Sequence, residues 1–430
     1  MKHSHPFLIA LLAGLACVDK AFPDEGGAAF RIQLDTITEG FEGRPYDGKT
    51  MQYMQARAAI VPRSGRDPLV VVTMSPFKMG AADVYFELHE MRSENLGASW
   101  QGPFKHLDTL GRRAGKTMAG GAGEEAIADF WPKWHAKSGK ILGTGQSEIY
   151  VGNKQPVLDG WHDAAYSAYD AATHTWSRWE GLAVPLKDMK LGCSAGCVQR
   201  VDLPNGDILL PVSFGIEETK GTQRGWPVFE TKVLRCKFDG LRLTFVEAGN
   251  SLALPVKRGL YEPSLAVFKG RFYLTLRNDD GSYVATSEDG LHFGPITAWK
   301  FDDGNDLGQY NTQSHWVTHS DALYLVYTRR GANNDHVMRH RAPLFIAEVD
   351  VTSLKVKRAT ERIVIPEHGA SYGNFGVCDV SEKETWIVEC ESMRNPKFPV
   401  FPVDNPYGAK ARVYAARILW DKPNKAWDQH

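Results

Sequence analysis

The sequence predicts an all-β fold, a six-bladed β-propeller of four-stranded antiparallel blades. Three observations predict it. Short β-rich runs alternate with tight-turn residues along the chain, which is the pattern of hairpin-connected strands. Six such units account for nearly all of the sequence, and dividing about 400 residues by six leaves roughly 65 for each, somewhat above the length of a propeller blade with its loops. Two of the outer turns share a polar, glycine and aromatic signature. Composition agrees: with 43% hydrophobic and 23% charged residues in 430, the chain is neither disordered nor collagen-like. Its 41 glycines and 12 tryptophans suit many short strands better than a helical bundle.

In chain order, residues 1–22 read as an export signal: Lys2 and His3 precede an apolar run from Phe7 to Ala16 that is too short to cross a bilayer. Small residues before Cys17 weakly suggest a lipoprotein cleavage site, although Leu15 and Gly14 depart from that pattern. No other stretch is long and apolar enough to span, so the expected location is outside the cytoplasm, secreted or periplasmic. Residues 23–430 are expected to form one propeller domain. Its inner hairpins turn at Arg63–Asp67, Lys137–Lys140, Pro204–Asp207, Lys269-Gly270, His319–Ala322 and Ser381–Glu384.

The fourth unit is the clearest. From Glu262 to Phe293, PSLAVF and RFYLTLR flank Lys269-Gly270, SYVATS follows the turn NDDG, and the turn EDG leads onward. The outer-turn signature places Ser93, Asn95, Gly97 and Trp100 at relative positions one, three, five and eight, and Thr286, Glu288, Gly290 and Phe293 at the same offsets. The polar side chains are expected to bond turn amides, glycine to supply positive φ, and the ring to pack between sheets. Tyr169–Trp176 and Phe238–Phe245 share the flavour of this turn.

Charge and cysteine usage narrow the function. Fifty basic against 51 acidic residues leave no broad positive field, which argues against nucleic acid as a partner. After the signal, Cys193, Cys197, Cys236, Cys378 and Cys390 remain, an odd number, so at least one thiol is free or links two chains. Cys193 and Cys197 could pair within their loop. A zinc site would need a second ligand pair at metal spacing, and none is present; neither metal nor cofactor is expected.

The repeat with its degenerate Asp-box turns resembles the sialidase (neuraminidase) superfamily, across the mature chain at the level of architecture. The resemblance implies an axial site in which three arginines hold a carboxylated sugar, a Tyr assisted by a Glu is the nucleophile, and an Asp is the acid/base. Glu262 opening a first strand and Arg277 closing the second are the strongest match, because a tight hairpin brings those two ends together. Arg57 stands in QARAAIVP, where the family has Arg-Ile-Pro; only the Arg and a later Val-Pro survive. Asp83, ten residues before the first outer turn, is the expected acid/base, with Asp47 as the fallback. Arg341 is the expected third arginine, with Arg339 on the same side of an extended strand and Arg329 and Arg330 competing. Tyr372 is the expected nucleophile, followed by Gly-Asn where the family has Ser; Glu391 ends a nearby strand, and Tyr261 and Tyr310 are the alternatives.

His135, Gln199, Gln313, His315 and Asn374 begin or border inner strands and could line a sugar pocket, with Trp131, Trp134 and Trp161 as stacking surfaces. The implied activity is hydrolysis of a terminal acidic sugar, sialic acid or a relative, from a glycan. Two other classes share the fold: a propeller that binds carbohydrate without cleaving it, and a lyase acting on a uronate-containing glycan.

Overall fold

The computed structural model describes residues 29–41, 50–79, 83–118, 121–154, 162–189, 191–218, 227–398 and 400–426. Their strands form six antiparallel sheets arranged as the blades of a propeller. The first blade runs outward from the axis through Met51–Val61, Leu69–Lys78, His89–Ser93 and Gln101–Lys105. The second is built on Gly121–His135, Lys140–Tyr150 and Ala164–Asp170, with Arg113–Met118 paired to the start of its inner strand. In the third, the inner strand is split into Cys193–Ser194 and Val201–Asp202, both paired to Asp207–Glu218. The fourth consists of Tyr261–Phe268, Arg271–Arg277, Ser282–Ser287 and Thr297–Ala298. The fifth contains His315–Thr318, Leu323–Tyr327 and Leu344–Asp350.

Closure explains why both ends of the chain are needed. The sixth blade takes Gly376–Ser381, Glu384–Cys390 and Arg412–Trp420 from the C-terminal end and Phe30–Glu39 from the other, paired from Phe30 opposite Trp420 to Glu39 opposite Arg412 with one register shift between Thr36 and Thr38. Joining the first strand to the last blade fixes the ring by backbone hydrogen bonds.

Apolar side chains on the sheet faces fill the seams between blades. Six large clusters are buried, one for each pair of neighbours: Ile60, Val70, Trp386 and Val413 join the first and sixth blades, and Leu142, Tyr166, Ile208 and Leu210 join the second and third. Burying a large apolar side chain contributes about 1.5–3 kcal/mol, so these seams hold the ring together. All six inner hairpins turn where the sequence places them. Each joins a blade's first strand to its second at the same end of the propeller.

The outer turns form the expected bonds, with one shift. In the first, Ser93 Oγ accepts Gly97 N at 2.8 Å and Asn95 Oδ1 accepts Ser99 N at 2.9 Å. In the fourth blade the same tasks fall to Ser287 and Asp289, one residue later than Thr286 and Glu288: Ser287 Oγ accepts Gly290 N and Asp289 Oδ1 accepts His292 N. Asp239 and Asp350 cap analogous turns. The five described cysteines are all free, so Cys193 and Cys197 do not pair.

Candidate axial site

One residue in each blade, where the inner strand starts or breaks register, adopts a left-handed backbone: Gln55 (φ 57°), Asp129 (53°), Cys197 (59°), Glu262 (46°), Asn311 (50°) and Gly373 (108°). In the first, second and fourth blades the cause is a β-bulge, between Met54 and Arg57, Ala128 and Trp131, and Tyr261 and Ser264. A bulge inserts one residue and re-aims its side chain, and a non-glycine residue held in this region stores about 1–3 kcal/mol of strain. The six positions form a ring around one end of the axis.

Two walls grow from that ring. In the fourth and fifth blades, Glu262 Oε2 accepts a hydrogen bond from Arg277 Nη1, and Arg277 Nη2 donates to Asn311 Oδ1 at 2.7 Å. Arg341 Nη2 donates to the Asn311 carbonyl, so the two guanidiniums meet on one residue. Arg258 grips Asp279 through Nε at 2.9 Å and Nη2 at 2.7 Å, and the Tyr261 hydroxyl donates to the same carboxylate at 2.7 Å. Burial, then Arg277 and Arg339 nearby, push the Arg341 guanidinium down to about 9. Burial lowers that of Arg339 too, as do Arg277, Arg394 and Arg258. The Nε atoms of Arg277 and Arg341 are buried without a protein partner.

The opposite wall belongs to the first three blades and is centred on Asp129. Its Oδ1 accepts from Gln55 Nε2, from Cys197 Sγ at 3.0 Å and from the Tyr85 hydroxyl at 3.5 Å; its Oδ2 accepts from Gln146 Nε2 at 2.7 Å. Burial first, and Glu262 next, raise this carboxyl to about 6 against the lowering effect of Arg57. Glu262 is therefore felt from both walls. Beneath the mouth, Trp131, His315 and Phe375 close the axis, the imidazole lying 4.6 Å from each ring. Burial and then Arg57 depress His315 well below the ordinary range. Its Nδ1 pairs with Ser264 Oγ at 2.6 Å.

The expected site residues divide. Glu262, Arg277 and Arg341 share one wall. Arg341 and Arg339 do not lie on a strand: they belong to a turn before Leu344–Asp350, with Arg339 left-handed. Arg57 stands apart from them, fully buried, donating to the carbonyls of Phe130 at 3.1 Å and Phe375 at 3.3 Å and to Cys197 Sγ at 3.0 Å. Asp83 lies on the loop between Leu69–Lys78 and His89–Ser93, close enough to raise Asp129, and its carbonyl accepts the Tyr150 hydroxyl at 2.8 Å. Gln313 Nε2 donates to Asn374 Oδ1 at 3.1 Å, linking the fifth and sixth blades at the rim.

Other expectations are corrected. The expected Tyr372–Glu262 hydrogen bond is not formed: the Tyr372 hydroxyl donates to the Pro366 carbonyl at 2.8 Å, because its ring packs with Phe375 and Tyr414 in the seam between the last two blades. Among the described residues no tyrosine hydroxyl hydrogen-bonds to Glu262. Tyr310 is bonded to His340 at 2.6 Å. His135 lies at the hairpin end of its strand, away from the mouth, held by Ser138 and the Gly206 carbonyl. Gln199 clasps the Trp316 backbone through both amide atoms. Arg329 is paired with Glu361, and Glu391 with His368 and Tyr414. Asp47 and Trp161 lie outside the described residues. Asp129 and Gln55 were missed. The available signal was a polar residue with low strand propensity inside an otherwise apolar inner strand, which marks a bulge.

A six-bladed propeller with a polar, arginine-rich axial mouth is the class that fold and site define. The solved structures similar to it include sialidases. A Hadza microbial sialidase aligns over 86% of this chain and 66% of its own, at 12% identity and a TM-score of 0.56. Trypanosoma rangeli sialidase in complex with the inhibitor DANA aligns over 90% of this chain, at 14% identity and a TM-score of 0.55. This chain spans 59% of that protein's length. A Dyadobacter fermentans protein of unknown function matches over 90% of this chain and 99% of its own, at 14% identity and a TM-score of 0.59. No family model matches the sequence, and no curated protein does. At these identities the likeness is one of fold.

Proposed function

We propose that the axial mouth binds the acidic group of a terminal sugar and that the chain is a sialidase-like glycoside hydrolase, exported before it acts. The observation that carries this reading is the meeting of Arg277 and Arg341 on Asn311, beside Glu262. Two buried guanidiniums side by side repel each other and leave Nε donors unsatisfied. A carboxylate relieves the repulsion through charge-assisted, bidentate bonds. Asp83, on its loop beside Asp129, would give the departing glycosidic oxygen its proton, and Glu262 would face the positive charge that develops at the anomeric carbon. Tyr372 has no part in that chemistry while its hydroxyl is held by Pro366.

The placement of Tyr372 also favours a second reading, a propeller that binds acidic sugars without cleaving them. One assay separates the two. Incubation of the purified protein with a panel of glycans ending in sialic or uronic acid should release the free acidic monosaccharide. Tight binding with no release would replace the hydrolase by the binding protein, and neither binding nor release would remove the acidic-sugar reading altogether.

A further inference from the structure

The mouth is electrically two-sided. On the fourth and fifth blades Arg258, Arg277, Arg339 and Arg341 outnumber Glu262 and Asp279. Across from them, Asp83 adds to the effects that raise Asp129, and burial first, then Asp129, Asp83 and Glu148, raise the Tyr85 hydroxyl. The cations on that side are Arg57, fully buried, with its guanidinium engaged by two carbonyls and the Cys197 sulfur, and Arg112, held by the Tyr85 carbonyl, Asn153 and Glu124. Asp129 receives its hydrogen bonds from neutral groups, two amides, a thiol and a phenol. These donors hold it as an acceptor without cancelling its charge. Arg341, more than nine-tenths buried, spends Nη2 on the Asn311 carbonyl while its Nη1 has no protein partner among the described residues, an independent sign that the mouth is completed by a ligand.

We propose that the preferred ligand is an acidic sugar that also carries a free, protonated amino group, with its carboxylate on Arg277 and Arg341 and its ammonium on the side of the mouth that Asp129 anchors, within the field of Asp83. This rests on the acidic-sugar reading above and sharpens it. An ammonium brings positive charge to a wall whose own cations, Arg57 and Arg112, are held by carbonyls, Cys197, Asn153 and Glu124, whereas acylation of the same nitrogen removes that charge and sets a carbonyl oxygen among carboxylates. Opposite charges within about 4–6 Å in a partly dry site attract far more strongly than in water. The titratable and charged groups facing Asp129 are Glu262, Arg57, Cys197, Asp83 and Tyr85, with Glu148 sharing the Gln146 amide. Of these, burial and Glu262 dominate and bring its titration to about pH 6. Asp129 is thus ionised at neutral pH and gains a proton below it, so the preference for the amine weakens on acidification.

The test is calorimetric titration of the full chain with two probes, the α-methyl glycoside of neuraminic acid, which has a free amine, and its N-acetyl counterpart. At pH 7.5 the free amine should bind at least tenfold more tightly, and the ratio should shrink towards pH 5. Asp129→Asn should reduce the ratio. So should Asp83→Asn, a half-buried loop change that keeps the test valid if Asp129→Asn does not fold. Equal affinities, tighter binding of the N-acetyl probe, or an undiminished ratio in folded variants would overturn the amine preference and leave the acidic-sugar reading standing. Failure of both probes to bind would overturn both readings.

Discussion

Replacing Arg341 with Met should make the fold more stable and the ligand weaker, two effects of opposite sign from one change. Arg341 is charged at pH 7 whether the chain is folded or not, so the whole depression, from the ordinary guanidinium range down to about 9, counts against the native state. At about 1.4 kcal/mol per tenfold in proton affinity, that sets a ceiling near 5 kcal/mol. Methionine forfeits the hydrogen bond to the Asn311 carbonyl, about 1 kcal/mol or somewhat more, and some packing, but relieves repulsion from Arg277 and Arg339. A net gain of about 1–3 kcal/mol remains, and unfolding entropy of roughly 2.1 cal/mol/K per residue converts it into a rise of about 1–4 °C. Loss of a charge-assisted bond to an acidic ligand should cost about 1.5–3 kcal/mol, or roughly 10- to 150-fold in Kd. Differential scanning calorimetry and ligand titration on one preparation measure both. Destabilisation with unchanged affinity would make Arg341 a structural residue and refute the reasoning.

Three other changes test other parts of the structure. Tyr372→Phe should leave acidic-sugar affinity and turnover intact while losing about 1 kcal/mol of stability in denaturant titration, through the bond to the Pro366 carbonyl; loss of turnover in a folded variant would restore the nucleophile assignment. His162, buried and bonded to the Ser147 carbonyl, is depressed to about 4 by burial. The unfolded chain therefore takes up the proton first as pH falls below about 6.5, and stability present above that pH is lost progressively down to about 4, by at most about 3 kcal/mol. Thermal unfolding across this range should be flatter for His162→Gln. Gly97→Ala should cost about 1–2 kcal/mol in the same measurement, because φ is 81° and the new Cβ would lie 3.1 Å from the Trp386 ring.

Blade number was legible because the inner hairpins are local. Arg63–Asp67 and Lys269-Gly270 join strands adjacent in sequence, so their turn residues announce them without reference to the rest of the chain. Glu262 and Arg277 were legible for the same reason: a short hairpin forces its open ends together. Tyr372 was not, since whether a ring at the start of a strand faces the axis or a seam is decided by neighbours far along the chain, here Tyr414 and Phe375. Asp129 was hidden by a different cause. The strand around it is apolar, and only the bulge opposite Gly145, which turns the carboxylate towards the mouth, separates it from a misplaced polar residue. The closing role of Phe30–Glu39 was not legible, because pairing between segments so far apart in the chain leaves no local signal.

The claim on which the rest depends is that the guanidinium wall of the axial mouth recognises an acid. It is tested most directly by titrating the protein with an acidic sugar glycoside and with the same glycoside after its carboxylate has been reduced to an alcohol. The arrangement of Arg277, Arg341 and Asn311 predicts at least tenfold tighter binding of the acid, a difference abolished in Arg277→Ala; equal binding of acid and alcohol would contradict it.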